Sequence, residues 1–268
     1  MILPLKDGGQ LYYETHGESG EWLLFLNGIM MSTPSWATFI PYLKPHYRLL
    51  LVDFRDQGKS SSLEGSYSCQ KHVPDLLQLL DHLHVPKIHM MGVSYGGQVA
   101  LEFMRTAPSR VKTLMLVTVI PEVTNFLRAW GDAWDEAAAL NDGEKFFQIA
   151  IPPIYSESFY EEKRDWLMER QKMFKSLLTP RWFEGFVRLS RSAKEFDCTD
   201  VLSHIDVPTL VVCAEKDILT PAPRMKDMAR QIPGSTLLEI PDAGHAAFLE
   251  KPLAFLTAIL GFLQLHSG

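Results

Sequence analysis

Short apolar runs of strand length alternate with stretches of helical periodicity along most of this chain, and that alternation restricts its fold more than any other feature. Gln10 to His16 and Trp22 to Asn27 read as two strands divided by the turn-forming run from Gly17 to Glu21. Further strands are expected at Tyr47 to Asp53, Lys87 to Val93, Val111 to Ile120, Thr209 to Ala214 and Ser235 to Ile240. Helical spacing marks His72 to Leu83, stopped before Pro86, then Gly96 to Thr106, Pro223 to Gln231 and a closing helix from Ala247 to Leu265. Strands this uniformly apolar need cover on both faces, so the fold class expected is α/β, a parallel sheet between layers of helices.

The rhythm stops after Pro121. Residues 121–196 hold no convincing strand and are rich in aromatics, among them Trp130, Trp134, Phe146, Phe147, Trp166 and Trp182. The expected organisation is one core, residues 1–120 and 197–268, interrupted by a helical insertion at 121–196.

Charge and cysteine content exclude several classes of function. A formal net charge of −6 repels phosphate backbones, so no nucleic-acid partner is expected. No apolar run approaches the length of a membrane span, and Met1 to Asp7 lacks the basic start and apolar stretch of a secretory leader, so no membrane partner is expected. The three cysteines, Cys69, Cys198 and Cys213, are widely spaced and contain no C-x-x-C pair; free thiols in a reducing cytoplasm fit them best. His82, His84 and His89 lack a completing carboxylate spacing, and neither a metal nor a cofactor is called for.

Gly92-Val93-Ser94-Tyr95-Gly96 fits G-x-S-x-G, a pattern that carries weight here because an expected strand leads in and an expected helix leads out. A turn that sharp exposes a serine hydroxyl, while the glycines let neighbouring backbone pass closely. Serine is too weak an acid to attack an ester unaided; it needs a base within hydrogen-bond reach and a group that orients the base. His245, in the loop after Ser235 to Ile240, is the candidate base. Asp217, in the loop after Thr209 to Ala214, is the candidate acid, with Glu215, Asp242 and Glu122 as competitors. All three catalytic candidates then fall at the carboxyl edge of the sheet, in the order Ser, Asp, His.

On these residues the chain resembles the α/β-hydrolase superfamily, in particular its capped serine esterases and enol-lactonases. The resemblance implies a mostly parallel eight-stranded sheet with helices on both faces and an inserted helical cap. The H-G-x segment that supplies an oxyanion donor in that family is matched by Asn27-Gly28-Ile29, with Asn27 in place of His, so the resemblance implies an oxyanion hole made by the backbone N–H groups of Ile29 and Tyr95. The family's D-x-R-G-x-G-x-S is matched by Asp53 to Ser60, with Asp56 in place of the first glycine, and is expected to brace loops. A mostly hydrophobic pocket is implied under the cap, and Gly28, Met30, Trp36 and Phe248, which flank the motifs, are the expected substrate-binding residues. The expected partner is a small-molecule ester. Opening an enol-lactone, cleaving a C–C bond of a dione, making peracids with peroxide, or binding a small molecule as a receptor with little turnover remain alternatives. Oligomeric state is left open, a homo-oligomer included.

Overall fold

The computed structural model describes residues 1–267. Eight strands form one sheet: β1 (Ile2–Pro4), β2 (Gln10–His16), β3 (Trp22–Leu26), β4 (Arg48–Asp53), β5 (Ile88–Val93), β6 (Val111–Val117), β7 (Thr209–Ala214) and β8 (Thr236–Ile240). Their order is β1-β2-β4-β3-β5-β6-β7-β8, with β1 and β2 antiparallel to their neighbours and all later pairs parallel. Alternate residues of each strand feed opposite cores, as a period of two requires. Leu24, Leu26, Leu50 and Val52 face one layer, while Leu23, Phe25, Leu49 and Leu51 face the other.

Helices α1 (Ile40–Leu43), α2 (His72–His82) and α3 (Tyr95–Thr106) accompany the first half of the sheet. Between β6 and β7 come five helices, α4 (Asn125–Ala139), α5 (Gly143–Ala150), α6 (Glu157–Glu162), α7 (Arg164–Leu177) and α8 (Pro180–Ala193), and after β7 come α9 (Ala222–Gln231), α10 (Ala247–Glu250) and α11 (Pro252–His266). Capping explains several helix starts between β6 and β7: the side chains of Thr124, Asp142, Ser156 and Thr179 each accept a backbone N–H from the first turn of their helix. The helices between β6 and β7 share a small core around Trp134, Phe146, Phe183 and Phe186, to which Leu219 of the loop after β7 also belongs. No helix among the described residues is long and apolar enough to cross a membrane.

Two expectations need correcting. The run Val111 to Ile120 is strand only to Val117, because Thr118 turns to φ 43° and sends Val119 and Ile120 into a buried loop. The closing helix is two helices: Lys251, which precedes Pro252, lies at φ −128° and ψ 60°, outside the α region that proline denies its predecessor. The sequence reading also passed over β1, a three-residue edge strand too short to show any period.

Candidate functional site

Ser94 sits between β5 and α3 at φ 52° and ψ −116°. Two glycines make this turn possible. A Cβ on Gly92 would meet the Gly96 carbonyl oxygen at 2.4 Å, and one on Gly96 would meet the Leu26 carbonyl oxygen at 2.2 Å. The turn thus packs directly against the end of β3, with the serine hydroxyl lifted above the strand ends.

The loops after β7 and β8 bring the other two candidates to that hydroxyl. His245 Nε2 lies 2.9 Å from Ser94 Oγ, and His245 Nδ1 lies 2.8 Å from Asp217 Oδ2. Asp217 is buried at 4 % exposure, with its Oδ1 accepting the backbone N–H groups of Leu219 at 2.8 Å and Thr220 at 3.0 Å, and its Oδ2 accepting the Thr220 hydroxyl at 2.5 Å. Burial works against ionising this carboxyl, but the facing His245, together with the donors from Thr220, outweighs burial and holds it below the usual carboxylate range. An ionised Asp217 accepts from Nδ1–H, which leaves Nε2 of a neutral imidazole to accept the Ser94 proton.

The competing acids lie elsewhere. Glu215 accepts the Asp242 backbone N–H, Asp242 holds Ser158 and Lys251, and Glu122 faces Arg224 at 3.5 Å.

The backbone N–H groups of Ile29 and Tyr95 have no acceptor among the described residues. Tyr95 is the first residue of α3, so its N–H also stands at the positive end of the helix dipole. The Ile29 loop is held from beneath. Asn27 Nδ2 donates to the Val52 carbonyl at 2.7 Å, Asn27 Oδ1 accepts from Trp36 Nε1 at 2.8 Å, and Gln57 Nε2 donates to the Gly28 carbonyl at 2.9 Å. The Asp53 to Ser60 segment braces its surroundings throughout: Asp53 accepts from the backbone of Thr33 and Lys59, and Arg55 forks onto Asp75 at 2.7 and 2.9 Å. Asp56 keeps the left-handed backbone of a glycine, φ 70°, and uses its carboxylate to accept Tyr67 Oη at 2.7 Å and the Arg188 guanidinium at 2.7 and 3.0 Å. That ion pair ties α8 to the core, a link the sequence reading missed.

Of the expected substrate-binding residues, Trp36 and Phe248 belong to the interior instead. Trp36 is fully buried against Phe25 and Phe248, with ring centroids 4.9 and 5.6 Å apart, and neither Trp36 nor Phe248 borders the cavity beside Ser94. Flanking a motif and packing beneath it leave the same mark in a sequence. Gly28 shapes its loop, since a Cβ there would press on Met31 Sδ at 3.0 Å, and Met30 lines a smaller cavity with Asp56, Gln57, Trp182 and Phe186. The cavity beside Ser94 encloses about 480 Å³ of empty space, part of it open to solvent, between Ile29, Tyr95 and Gln98 below and Arg128, Trp134 and Ser190 of α4 and α8 above.

The Tyr95 side chain points away from this cavity, into the core, where its hydroxyl meets His72 Nε2 at 2.9 Å and Ser192 Oγ at 2.7 Å. Ser192 donates to the Leu189 carbonyl, so Tyr95 donates to Ser192 and accepts from His72 Nε2–H, leaving His72 Nδ1 as a buried nitrogen without a partner. Burial, reinforced by nearby Arg55, pushes the His72 pKa from 6.5 down to about 3. Below 6.5 the unfolded chain therefore takes up a proton that the folded protein refuses, and stability rises with pH across that window. The stability advantage of wild type over His72→Gln should accordingly shrink by about 1.4 kcal/mol per pH unit at most on acidification. Urea unfolding of both proteins at pH 7 and 5 measures it; a constant difference would mean that the His72 pKa is the same in the folded and unfolded states.

The profile of the alpha/beta hydrolase fold family matches residues 21–252. The crystal structure of MGS-M2, an alpha/beta hydrolase enzyme from a Medee basin deep-sea metagenome library, superposes with a TM-score of 0.95 at 34% identity, over 98% of this chain and 97% of that one. A thermophilic esterase from Thermogutta terrifontis, solved with malate bound, gives a TM-score of 0.87 at 26% identity over 100% of this chain and 99% of its own. Among sequences, 3-oxoadipate enol-lactonase 1 of Acinetobacter baylyi is 26% identical over 270 residues, covering 98% of this chain and 97% of the relative.

Proposed function

The chain belongs to the alpha/beta hydrolase fold family, and from that premise we propose that it is a serine hydrolase cleaving small to medium carboxylic esters, with residues 121–196 as a cap over the catalytic groups. The observation that carries this reading is the continuous hydrogen-bonded relay from Asp217 through His245 to Ser94, at 2.8 and 2.9 Å, beside two backbone N–H groups without acceptors.

In this mechanism Ser94 Oγ attacks the ester carbonyl carbon as His245 Nε2 takes its proton. Negative charge moves to the carbonyl oxygen, where Ile29 and Tyr95 N–H groups receive it; being fixed in place beforehand, they need no reorganisation as the charge develops. Collapse of the tetrahedral species breaks the C–O bond to the alcohol, which leaves with the proton from His245. Water then attacks the acyl-serine, gives a proton to the same nitrogen, and the acid departs as that proton returns to Ser94. Asp217 fixes the imidazole tautomer and stabilises the imidazolium.

An enol-lactone would follow the same steps with its leaving oxygen still tethered to the acyl group, and the similarity to an enol-lactonase over nearly the whole chain favours this as the second reading.

A p-nitrophenyl ester series from acetate to decanoate tests the proposal. Multiple turnovers with a maximum at short or medium acyl length are expected, since the cavity is bounded by α4 and α8. The absence of turnover on every member would overturn the esterase reading and leave a lactone, a dione or a receptor function.

A further inference from the structure

The wall of the cavity opposite Ser94 is not a plain apolar lid. Arg128 and Trp134 line it from α4, and Arg128 Nε and Trp134 Nε1 are both buried without a hydrogen-bond partner among the described residues. The rest of the guanidinium is held in place, Nη1 by Asn125 Oδ1 at 2.9 Å and Nη2 by the Lys194 carbonyl at 3.0 Å. No carboxylate among the described residues pairs with Arg128, whereas the cations around it are paired: Lys194 with Asp132 and Asp135, and Arg191 with Asp135. Gln98, one turn beyond Ser94 on α3, has a buried Oε1 without a partner and also borders the cavity. Both donors are already cut off from water in the empty protein, so a purely hydrocarbon substrate would leave their unmet cost in place and gain nothing from them. An anionic acceptor removes that cost and meets the charge of Arg128, which no carboxylate among the described residues pairs.

We propose that α4 carries a carboxylate-recognition site, in which Arg128 Nε–H and Trp134 Nε1–H donate to a carboxylate on the far arm of the substrate. The substrate class is then an acidic ester or lactone, one that bears a free carboxylate separated from its scissile carbonyl by a short chain. The site deepens the serine-hydrolase reading and rests on it for the identity of the reacting group, though not for the binding of the carboxylate.

Mono-p-nitrophenyl glutarate and p-nitrophenyl valerate share a five-carbon acyl chain and differ in the terminal charge. Wild type should show the higher kcat/KM on the glutarate, and Arg128→Gln should cut the glutarate-to-valerate ratio by about 10-fold to 100-fold, the usual worth of a charge-assisted contact. Arg128→Lys, which keeps the charge but loses Nε–H and the fork, should fall between, and Trp134→Phe should lower the ratio by a smaller factor. Raising the salt concentration should reduce the wild-type ratio less than the substitution does, because the two donor atoms are themselves buried. A wild-type ratio at or below one, or a ratio unchanged in Arg128→Gln, overturns the carboxylate site while leaving the hydrolase intact. If neither ester turns over, the hydrolase reading falls alone, and calorimetric titration with glutarate and with glutaramide then decides the inference. Glutarate binding to wild type that is lost in Arg128→Gln, with thermal unfolding showing the variant folded, supports the site; equal binding of glutarate and glutaramide, or no binding of glutarate, refutes it.

Discussion

Ser94→Ala is expected to reduce kcat on p-nitrophenyl acetate by about 10⁵-fold while shifting the thermal midpoint by no more than about 2 °C. The two effects separate because of what Ser94 does in the fold. Its strained backbone at φ 52° is imposed by the close passage of Gly92, Gly96 and β3, and alanine inherits that strain nearly unchanged. Its side chain contributes one hydrogen bond, to His245. Removing the hydroxyl removes the nucleophile outright, and the oxyanion donors and His245 that remain can assist only direct attack by water, which is why a small residual rate is expected. Steady-state kinetics on a column-purified sample, with a melting curve on the same preparation, provide both readouts. A rate near that of wild type from a folded variant would exclude acyl-enzyme chemistry at this position.

How much of this was readable beforehand depended on whether a feature is local. Six of the eight strands extend to within a residue or two of their expected ends, because each is an apolar run closed by glycine, proline or charge. Ser94, Asp217 and His245 were selected by a rule of position, the loops at the carboxyl ends of strands, and the sheet order β5-β6-β7-β8 does place those loops side by side. Position relative to strand ends is encoded locally, so a linear reading reaches it.

Tertiary choices were not readable in that way. Trp36 and Phe248 were expected to wall the pocket because they flank motifs, yet Trp36 packs between Phe25 and Phe248 and donates to Asn27. Asn27 appeared as a departure from a family histidine; only the packing shows its amide joining β4 to the Trp36 side chain. Asp56, another departure, turns out to hold α8 through Arg188, a partner far along the chain that no spacing rule connects to it. Arg128 has Asp132 four residues on, the spacing of a helical ion pair, and nothing in the sequence says that Asp132 goes to Lys194 instead. In each case the informative fact is a competition among distant partners, which a sequence lists but does not resolve.

Asp217→Asn should lower kcat by about 10⁴-fold, whereas Glu122→Gln should leave it within twofold of wild type. The size of the first effect follows from how the carboxylate is held. Oδ1 accepts two backbone N–H groups, from Leu219 and Thr220, and an amide placed here must keep its oxygen on that side, because an NH2 group facing those donors would be left unpaired. The amide nitrogen is thereby turned towards His245 Nδ1. As a donor it selects the tautomer with the proton on Nε2, and an Nε2–H cannot accept the proton of Ser94, so the base is lost without any change in shape. Glu122 has no such leverage: it lies half exposed beside Arg224, at 3.5 Å. Measuring kcat for both variants across pH 6 to 9 discriminates the candidate acids. A severe loss in Glu122→Gln with an active Asp217→Asn would transfer the orienting role to Glu122, and equal small losses in both would mean that His245 keeps its tautomer through Thr220, whose hydroxyl lies 3.4 Å from Nδ1.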